Sequence, residues 1–286
     1  MSVPTERQRL ALESKTVEIV RHSMIGFIRL DRENPNAPST SLGSGTLVDV
    51  DGIRGVITAA HVVEALRRER EVGILRLHAS SQPEMMTVSP STVEAIVMGG
   101  EGSGVAGPDI AFLRLPQSLE GVLRATNVFF SPAAYALARQ SRGGPSKHPE
   151  ARFVTGVLAE ATRTLSPRNG NFRVEFSAFR AFGEFEDRRE TPDGFDTFEF
   201  AFNYAPGSEM PARYGGLSGG GVWQTFEDTP PLHRQLTGMP FRETAADENG
   251  VRRLICHGPR TLYFKLLPEV LRRWNPVAYD AWADHR

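Results

Sequence analysis

Short apolar runs rich in β-branched residues recur along the chain, and turn-forming residues separate them. The runs MIGFIRL at 24–30, GTLVDV at 45–50 and GVITA at 55–59 are examples, and Asp51-Gly52 between the last two is a strong hairpin signal. Farther on, aromatic residues occupy every second position from 198 to 204, which is typical of a half-buried strand. Many short strands at such spacing favour an all-β sandwich or barrel.

Two segments carry a helical pattern instead. Residues 5–20 predict a short amphipathic helix with Thr5 as its candidate N-cap, and LLPEVLRRW near the end of the chain predicts a closing helix over 267–274. Just before that helix, 261–266 is predicted as a last strand. The charged stretch at 183–194 is predicted as a loop.

The Pro- and Gly-rich middle of the chain divides the strands into two groups. We therefore predict an N-terminal helix in 1–21, a first β-barrel in 22–115, a connection in 116–150, and a second β-barrel with a C-terminal helix in 151–286.

Composition narrows the possible functions. The 286 residues include one cysteine, which excludes an internal disulfide and a four-cysteine zinc site. With 33 basic and 34 acidic residues the formal charge is −1, which argues against a nucleic-acid partner. No apolar run is long enough for a membrane span or a signal-peptide core. We expect a soluble cytoplasmic protein without membrane contact, and no metal or other cofactor, since the histidines lack metal-ligand spacing.

Three segments could carry chemistry together. They are TAAH at 58–61, GPDIAFL at 107–113 and GGLSGGG at 215–221. Taken singly, a histidine after a strand, an aspartate after Gly-Pro and a serine among glycines are ordinary structural features. Together they supply a serine nucleophile, a histidine base and a carboxylate to orient that base. Glycines beside the serine let main-chain N–H groups face a developing oxyanion.

In this order the three motifs resemble those of the chymotrypsin/trypsin-like serine proteases. The resemblance covers about 24–275 and implies two six-stranded antiparallel Greek-key β-barrels. It assigns Ser218 as nucleophile, His61 as general base and acid, and Asp109 as the orienting carboxylate. The main-chain N–H groups of Gly216 and Ser218 would form the oxyanion hole. Without disulfides, the chain is most similar to the bacterial intracellular members of that family.

The chain departs from its secreted relatives immediately before the serine. Leu217 stands where those enzymes carry an aspartate that pairs with a freshly cut N-terminal amine, so we predict no activation by N-terminal cleavage. The resemblance places Ala212, with Arg213 and Tyr214 beside it, at the base of the specificity pocket, which does not support a strict Lys/Arg preference. Glu243 could add an acid to the pocket wall, and Arg260 could add a base.

These features leave three functional hypotheses. The first is a serine endopeptidase acting on a protein or peptide substrate. The second is a latent form of that enzyme, switched on by a regulatory protein partner in a bacterial stress or phage-defence system. The third is a catalytically silent module that uses the protease fold to bind a partner. A Cys256–His257 dyad is not expected, because neighbouring strand residues point to opposite faces. We interpret Cys256 as a buried structural residue.

Overall fold

A computed structural model describes most of the chain. The described residues are 20, 22–31, 40–77, 83–100, 108–132, 151–168, 171–204, 210–226 and 233–283. Nearly all of the helix predicted over 5–20 lies outside them, and so does the part of the predicted connection from 133 to 150.

The described chain is dominated by antiparallel β-structure, as the apolar runs predict. In chain order the strands are β1 Met24–Arg29, β2 Ser41–Val50, β3 Ile53–Thr58, β4 Val72–Leu77, β5 Pro83–Val88, β6 Glu94–Gly99, β7 Asp109–Arg114, β8 Ala151–Val157, β9 Arg163–Arg168, β10 Asn171–Glu175, β11 Ala178–Glu190, β12 Asp196–Phe202, β13 Gly221–Phe226, β14 His233–Glu243 and β15 Leu254–His257.

The first seven strands form one sheet in the order β5-β4-β1-β2-β3-β7-β6. The hairpin predicted at Asp51-Gly52 is confirmed, since it joins β2 to β3 with φ values of 49° and 86° at the two turn residues. Both values are positive, which is the backbone that a two-residue hairpin turn requires. The end strands β5 and β6 share no recorded pairing among the described residues, so the six-stranded barrel expected for 22–115 is not confirmed and the unit is described as a seven-stranded sheet.

Six strands of the second unit close into a barrel in the order β11-β12-β15-β14-β13-β8. This confirms a six-stranded antiparallel barrel in the second half of the chain. The charged loop expected at 183–194 is wrong for most of its length, because residues up to Glu190 continue β11 and pair with β12. Charged side chains are tolerated there because they lie on the exposed part of the strand.

The helices are short, with at most ten residues each among the described ranges. They are α1 Ala60–Arg67, α2 Gln117–Thr126, α3 Leu267–Trp274 and α4 Pro276–Ala283, together with a 3₁₀ turn at Pro90–Thr92, a helical turn at Pro259–Thr261 and a π-helical turn at Leu262–Leu266. No helix within the described ranges is both long and apolar enough to cross a membrane.

The closing helix over 267–274 is confirmed, but the strand predicted for 261–266 is wrong. The last strand ends at His257. Asp196 then accepts main-chain hydrogen bonds from Arg260 and Thr261 at 3.1 and 2.6 Å, which starts the helical turns. The carboxylate of Asp196, which is distant in sequence, thus caps a segment whose local sequence predicts a strand.

The larger apolar cluster includes the core of the sheet unit and extends to the barrel strands. Apolar residues of the sheet and of α1 pack there with Phe153, Trp223 and Phe241 of the barrel strands, and Trp223 meets Phe130 edge-on at 5.4 Å. A second cluster fills the barrel interior and includes Leu217 from the loop before β13.

We predict that Gly55→Ala destabilises the protein by about 1–3 kcal/mol. A Cβ at Gly55 would lie 2.2 Å from the ring of Phe112 and 2.5 Å from the carbonyl oxygen of Leu113. Urea unfolding measures the effect. Gly121→Ala is the control, since a Cβ there meets nothing within 4 Å and alanine is the better helix former. Equal unfolding free energies for the Gly55 variant and wild type would contradict the packing described here.

Candidate functional site

His61 and Asp109 form a direct pair at the start of α1. The Nδ1 atom of His61 lies 2.7 Å from Oδ2 of Asp109, and the main-chain N–H of His61 donates to Oδ1 at 3.0 Å. Ala59, the N-cap residue of α1, offers no side-chain acceptor, so the carboxylate from β7 satisfies a free N–H of the helix start. Both carboxylate oxygens therefore fix the position of the imidazole.

The electrostatics of this pair favour a charged Asp109. Burial alone would raise its pKa, but the hydrogen bonds and charge of His61 outweigh burial and lower the pKa below its ordinary value. A carboxylate accepts and does not donate, so the proton of a neutral His61 resides on Nδ1. Its Nε2 atom is left with a lone pair, as a proton acceptor requires.

The loop that carries Ser218 lies against β2 and the end of β3. Gly219 has φ +89°, and a Cβ on it would lie 2.2 Å from Oγ1 of Thr58 and 2.1 Å from the carbonyl oxygen of Ser44. Only glycine permits so close an approach. A Cβ on Gly43 would likewise lie within 3.1 Å of both the Ser218 carbonyl and the side chain of Val62, the residue after His61. Ser218 is thus placed beside the start of α1.

Ser44 fixes this loop across the boundary between the sheet and the barrel. Its N–H donates to the carbonyl of Ser218 at 2.8 Å, and its hydroxyl donates to the carbonyl of Gly216 at 2.7 Å. The same hydroxyl accepts from the N–H of Val157 in β8 at 2.8 Å. Ser44 is fully buried, so these bonds are shielded from water. Sequence analysis missed this residue, because a serine within a β-strand carries no distinctive signal.

Two main-chain N–H groups of the loop remain available. Among the described residues, no hydrogen bond is recorded from the N–H of Gly216 or of Ser218. The carbonyl in the same peptide group as each of these N–H groups is hydrogen-bonded. The carbonyl of Gly215 accepts from the N–H of Ala159, and that of Leu217 accepts from the N–H of Gly220, each at 2.8 Å. In a trans peptide the C=O and N–H point in opposite directions. The two free N–H groups therefore point away from the contacts that anchor their peptides.

The hydroxyl of Ser218 bonds to a main-chain carbonyl in this structure. Its Oγ donates to the carbonyl oxygen of Phe241 at 3.3 Å, and the structure records no hydrogen bond from Ser218 to Nε2 of His61. Ser218 and His61 are both partly exposed, so a ligand could reach the space beside them.

Of the three residues predicted for the specificity pocket, one is buried and two are exposed. Tyr214 is buried and stacks on Phe202 at 4.3 Å, with its hydroxyl 3.1 Å from that of Tyr204. Burial is the main reason that the pKa of Tyr214 is raised. Ala212 and Arg213 remain exposed. The tyrosine therefore belongs to the barrel core, where it anchors one end of the Ser218 loop.

The two charged residues considered for the pocket wall are engaged elsewhere. Glu243 accepts from the N–H of Tyr214 at 2.8 Å and from Arg213 at 3.0 Å, so its carboxylate holds the chain ahead of the loop. Arg260 pairs with Glu190 of β11 at 3.2 Å. Leu217, with none of its surface exposed, packs in the barrel interior, where no amine could pair with it.

His257, which the sequence presents only as the neighbour of Cys256, contacts the candidate site. Its Nε2 accepts a hydrogen bond from the N–H of Asp109 at 3.0 Å, and its ring stacks on Phe241 with centroids 4.3 Å apart. Complete burial lowers its pKa to about 4, against the opposing pull of the Asp109 and Asp196 charges. Cys256 faces the barrel interior, and burial raises the pKa of its thiol. The two side chains point to opposite faces, as strand geometry predicts.

Metal-binding geometry does not occur in the part of the chain that the structure describes. No group of three or more histidine, cysteine, aspartate or glutamate side chains lies close enough there to hold an ion. Within the site, His61 and Asp109 are in direct contact, and Ser218 lies beside the start of α1.

Comparison with known proteins gives little beyond this geometry. No protein-family model matches the chain, and no curated protein matches it. One similar solved chain belongs to a structure described as "Aromatic interactions drive the coupled folding and binding of the intrinsically disordered Sesbania mosaic virus VPg protein". The two chains are 14% identical with a TM-score of 0.40, over 85% of this chain and 90% of the other. At that TM-score no function is transferred.

We expect Glu243→Ala to loosen the chain that precedes the Ser218 loop. The variant leaves the N–H of Tyr214 and the guanidinium of Arg213 without their carboxylate, a loss of about 1–3 kcal/mol. Amide hydrogen exchange at Tyr214 should accelerate about tenfold or more. Glu248→Ala is the control because Glu248 lies in an exposed turn. Unchanged exchange at Tyr214 would show that Glu243 is not the anchor.

We predict a pH-dependent loss of stability that His257→Gln removes. The folded protein holds the pKa of His257 near 4, below its ordinary value of 6.5, so the unfolded state binds an extra proton between these values. Stability from this group is complete above pH 6.5 and falls by about 3 kcal/mol as pH drops to 4. Urea unfolding of wild type and variant across this range measures the difference.

The thermal transition of His257→Gln at neutral pH checks that the variant folds. If His257→Gln retained the wild-type slope of stability against pH, a buried neutral His257 would be ruled out.

Proposed function

We propose that this protein is a serine endopeptidase in which Ser218 is the nucleophile, His61 the general base and acid, and Asp109 the orienting carboxylate. The observation that carries the proposal is the two-point attachment of His61 to Asp109, through Nδ1 at 2.7 Å and the main-chain N–H at 3.0 Å. It leaves Nε2 as the basic atom, next to a loop with a partly exposed serine.

The reaction begins when Oγ of Ser218 leaves the carbonyl of Phe241 and turns toward His61. Oγ attacks the carbonyl carbon of the substrate peptide bond while its proton passes to Nε2 of His61. The C=O electron pair moves onto oxygen, and the N–H groups of Gly216 and Ser218 donate to that oxygen. The charge of Asp109 stabilises the imidazolium that forms.

The second half of the reaction releases both products. His61 gives its proton to the departing nitrogen as the C–N bond breaks, which leaves an ester on Ser218. Water then attacks this ester, with His61 taking a proton from the water and returning it to Oγ. No metal or organic cofactor enters these steps.

The anchored loop favours an enzyme that is ready to act over one that awaits a trigger. Leu217 lies in the barrel core, and Ser44 and Glu243 fix the main chain on either side of Gly216. These contacts all come from within the chain. We accordingly propose that the isolated protein is active, with Ser218 changing its hydroxyl orientation when substrate binds.

The finer fold assignment is part of the same proposal. We interpret the seven-stranded sheet as an opened form of the first barrel of a chymotrypsin-like protein, with the closed barrel as the second. Helix α1 and strand β7 of the first unit supply His61 and Asp109, whereas the loop before β13 of the barrel unit supplies Ser218. This division agrees with the proposed roles.

The direct test uses an active-site-directed fluorophosphonate and an unstructured protein substrate. Wild type should be labelled on Ser218 and should hydrolyse the substrate. Ser218→Ala should lose labelling and on the order of 10⁶-fold in hydrolysis, and Asp109→Asn about 10⁴-fold. Ser91→Ala, which alters an exposed serine of the first sheet unit, should behave as wild type.

Folding of each variant is checked by its thermal transition. Hydrolysis by Ser218→Ala at the wild-type rate would overturn the assignment of Ser218. Absence of labelling in wild type, alone and with cell extract, would instead favour the silent partner-binding module. Labelling that needs an added extract would favour the latent enzyme.

A further inference from the structure

The only hydrogen bond recorded between the barrel strands and the His61–Asp109 pair, within the described residues, involves His257. The residue ends β15, whereas Asp109 begins β7 of the sheet. The bond runs from the N–H of Asp109 to Nε2 of His257 at 3.0 Å, and both residues are buried. Water has little access to this N–H, so the imidazole of His257 is the hydrogen-bond acceptor that satisfies it.

The same ring also contacts the strand that faces Ser218. It stacks on Phe241 with an interplanar angle of 18°, and the carbonyl of Phe241 accepts from Oγ of Ser218 at 3.3 Å. His257 therefore contacts Asp109 through a hydrogen bond, and it contacts Phe241, the hydrogen-bond acceptor of Ser218, through its ring.

The hydrogen bond at Nε2 sets the tautomer of His257. Because Nε2 accepts from the N–H of Asp109, the proton of the neutral ring lies on Nδ1. The main chain of Asp196 also interacts with this ring and favours its proton. A neutral imidazole with Nε2 as the acceptor is the form that the Asp109 N–H requires, and an apolar ring could not supply it.

We propose that His257 is a positioning residue that holds Asp109, and through it His61, in register with the Ser218 loop. The effect of His257 on catalysis rests on the proposed function, whereas its contact with Asp109 does not. A shift of Asp109 would move both carboxylate oxygens that fix His61. Misplacement of about 1 Å is enough to slow a chemical step about 100-fold.

Two substitutions separate the hydrogen bond from packing. His257→Phe keeps an aromatic ring against Phe241 but removes the acceptor, and should lower kcat about 10- to 100-fold with KM within about twofold. His257→Gln offers an amide oxygen to the Asp109 N–H and should recover most of kcat. Cys256→Ala is the matched control, because it disturbs the opposite face of the same strand.

The kcat values of the variants are compared at temperatures equally far below their melting points, so that differences in stability do not enter. If His257→Phe and Cys256→Ala have the same kcat at temperatures equally far below their melting points, His257 has no positioning role. If His257→Gln is as slow as His257→Phe, the acceptor is not what matters, and the proposal also fails.

One further test uses the wild-type protein alone and does not depend on enzymatic activity. In ¹⁵N-labelled protein, an N–H···N hydrogen bond gives a through-bond coupling between the main-chain nitrogen of Asp109 and Nε2 of His257. Observation of this coupling supports the contact even if Ser218 is never labelled, in which case only the proposed function fails. Its absence, with both resonances assigned, overturns the positioning role even if the protein proves to be a peptidase.

Discussion

Ser44 holds the Ser218 loop through its main-chain N–H and its hydroxyl, and the geometry of the site depends on this buried contact. The N–H and the hydroxyl donate to two carbonyls of the loop, and the hydroxyl also accepts from β8 of the barrel. Thr58, at the end of β3, donates in turn to the carbonyl of Ser44 at 2.7 Å. Since α1 begins two residues after Thr58, the strand that orients the loop is tied directly to the strand that leads to His61.

The loop is also fixed from the barrel side. Leu217 and Tyr214 insert into the barrel core, and Glu243 accepts from the main chain at Tyr214. Apolar burial on one side and buried hydrogen bonds on the other leave little freedom to the peptides between them. The N–H groups of Gly216 and Ser218, for which no partner is recorded among the described residues, lie between these fixed points.

Local sequence predicted much of the fold because its signals are local. The turn at Asp51-Gly52 and the alternation of aromatic residues from 198 to 204 depend on neighbours in the chain, and both were confirmed. The segment 261–266 was mispredicted because its helical start depends on Asp196, more than 60 residues away. The charged stretch ending at Glu190 was mispredicted as a loop because pairing with β12, not apolar content, sustains that strand.

For the site, the sequence alone determined which chemistry-bearing residues exist and in what order: a histidine after a strand, an aspartate opening another, and a serine among glycines. Residue type and short-range spacing suffice for that. Only the tertiary structure decided that Asp109 caps α1 and pairs with His61, that Tyr214 faces the barrel core, and that Ser44 and His257 join the two halves. The contacts of Asp109, Ser44 and His257 span 48 to 174 residues in sequence, as His61–Asp109 and Ser44–Ser218 illustrate, so the folding of distant segments against one another brings these atoms together.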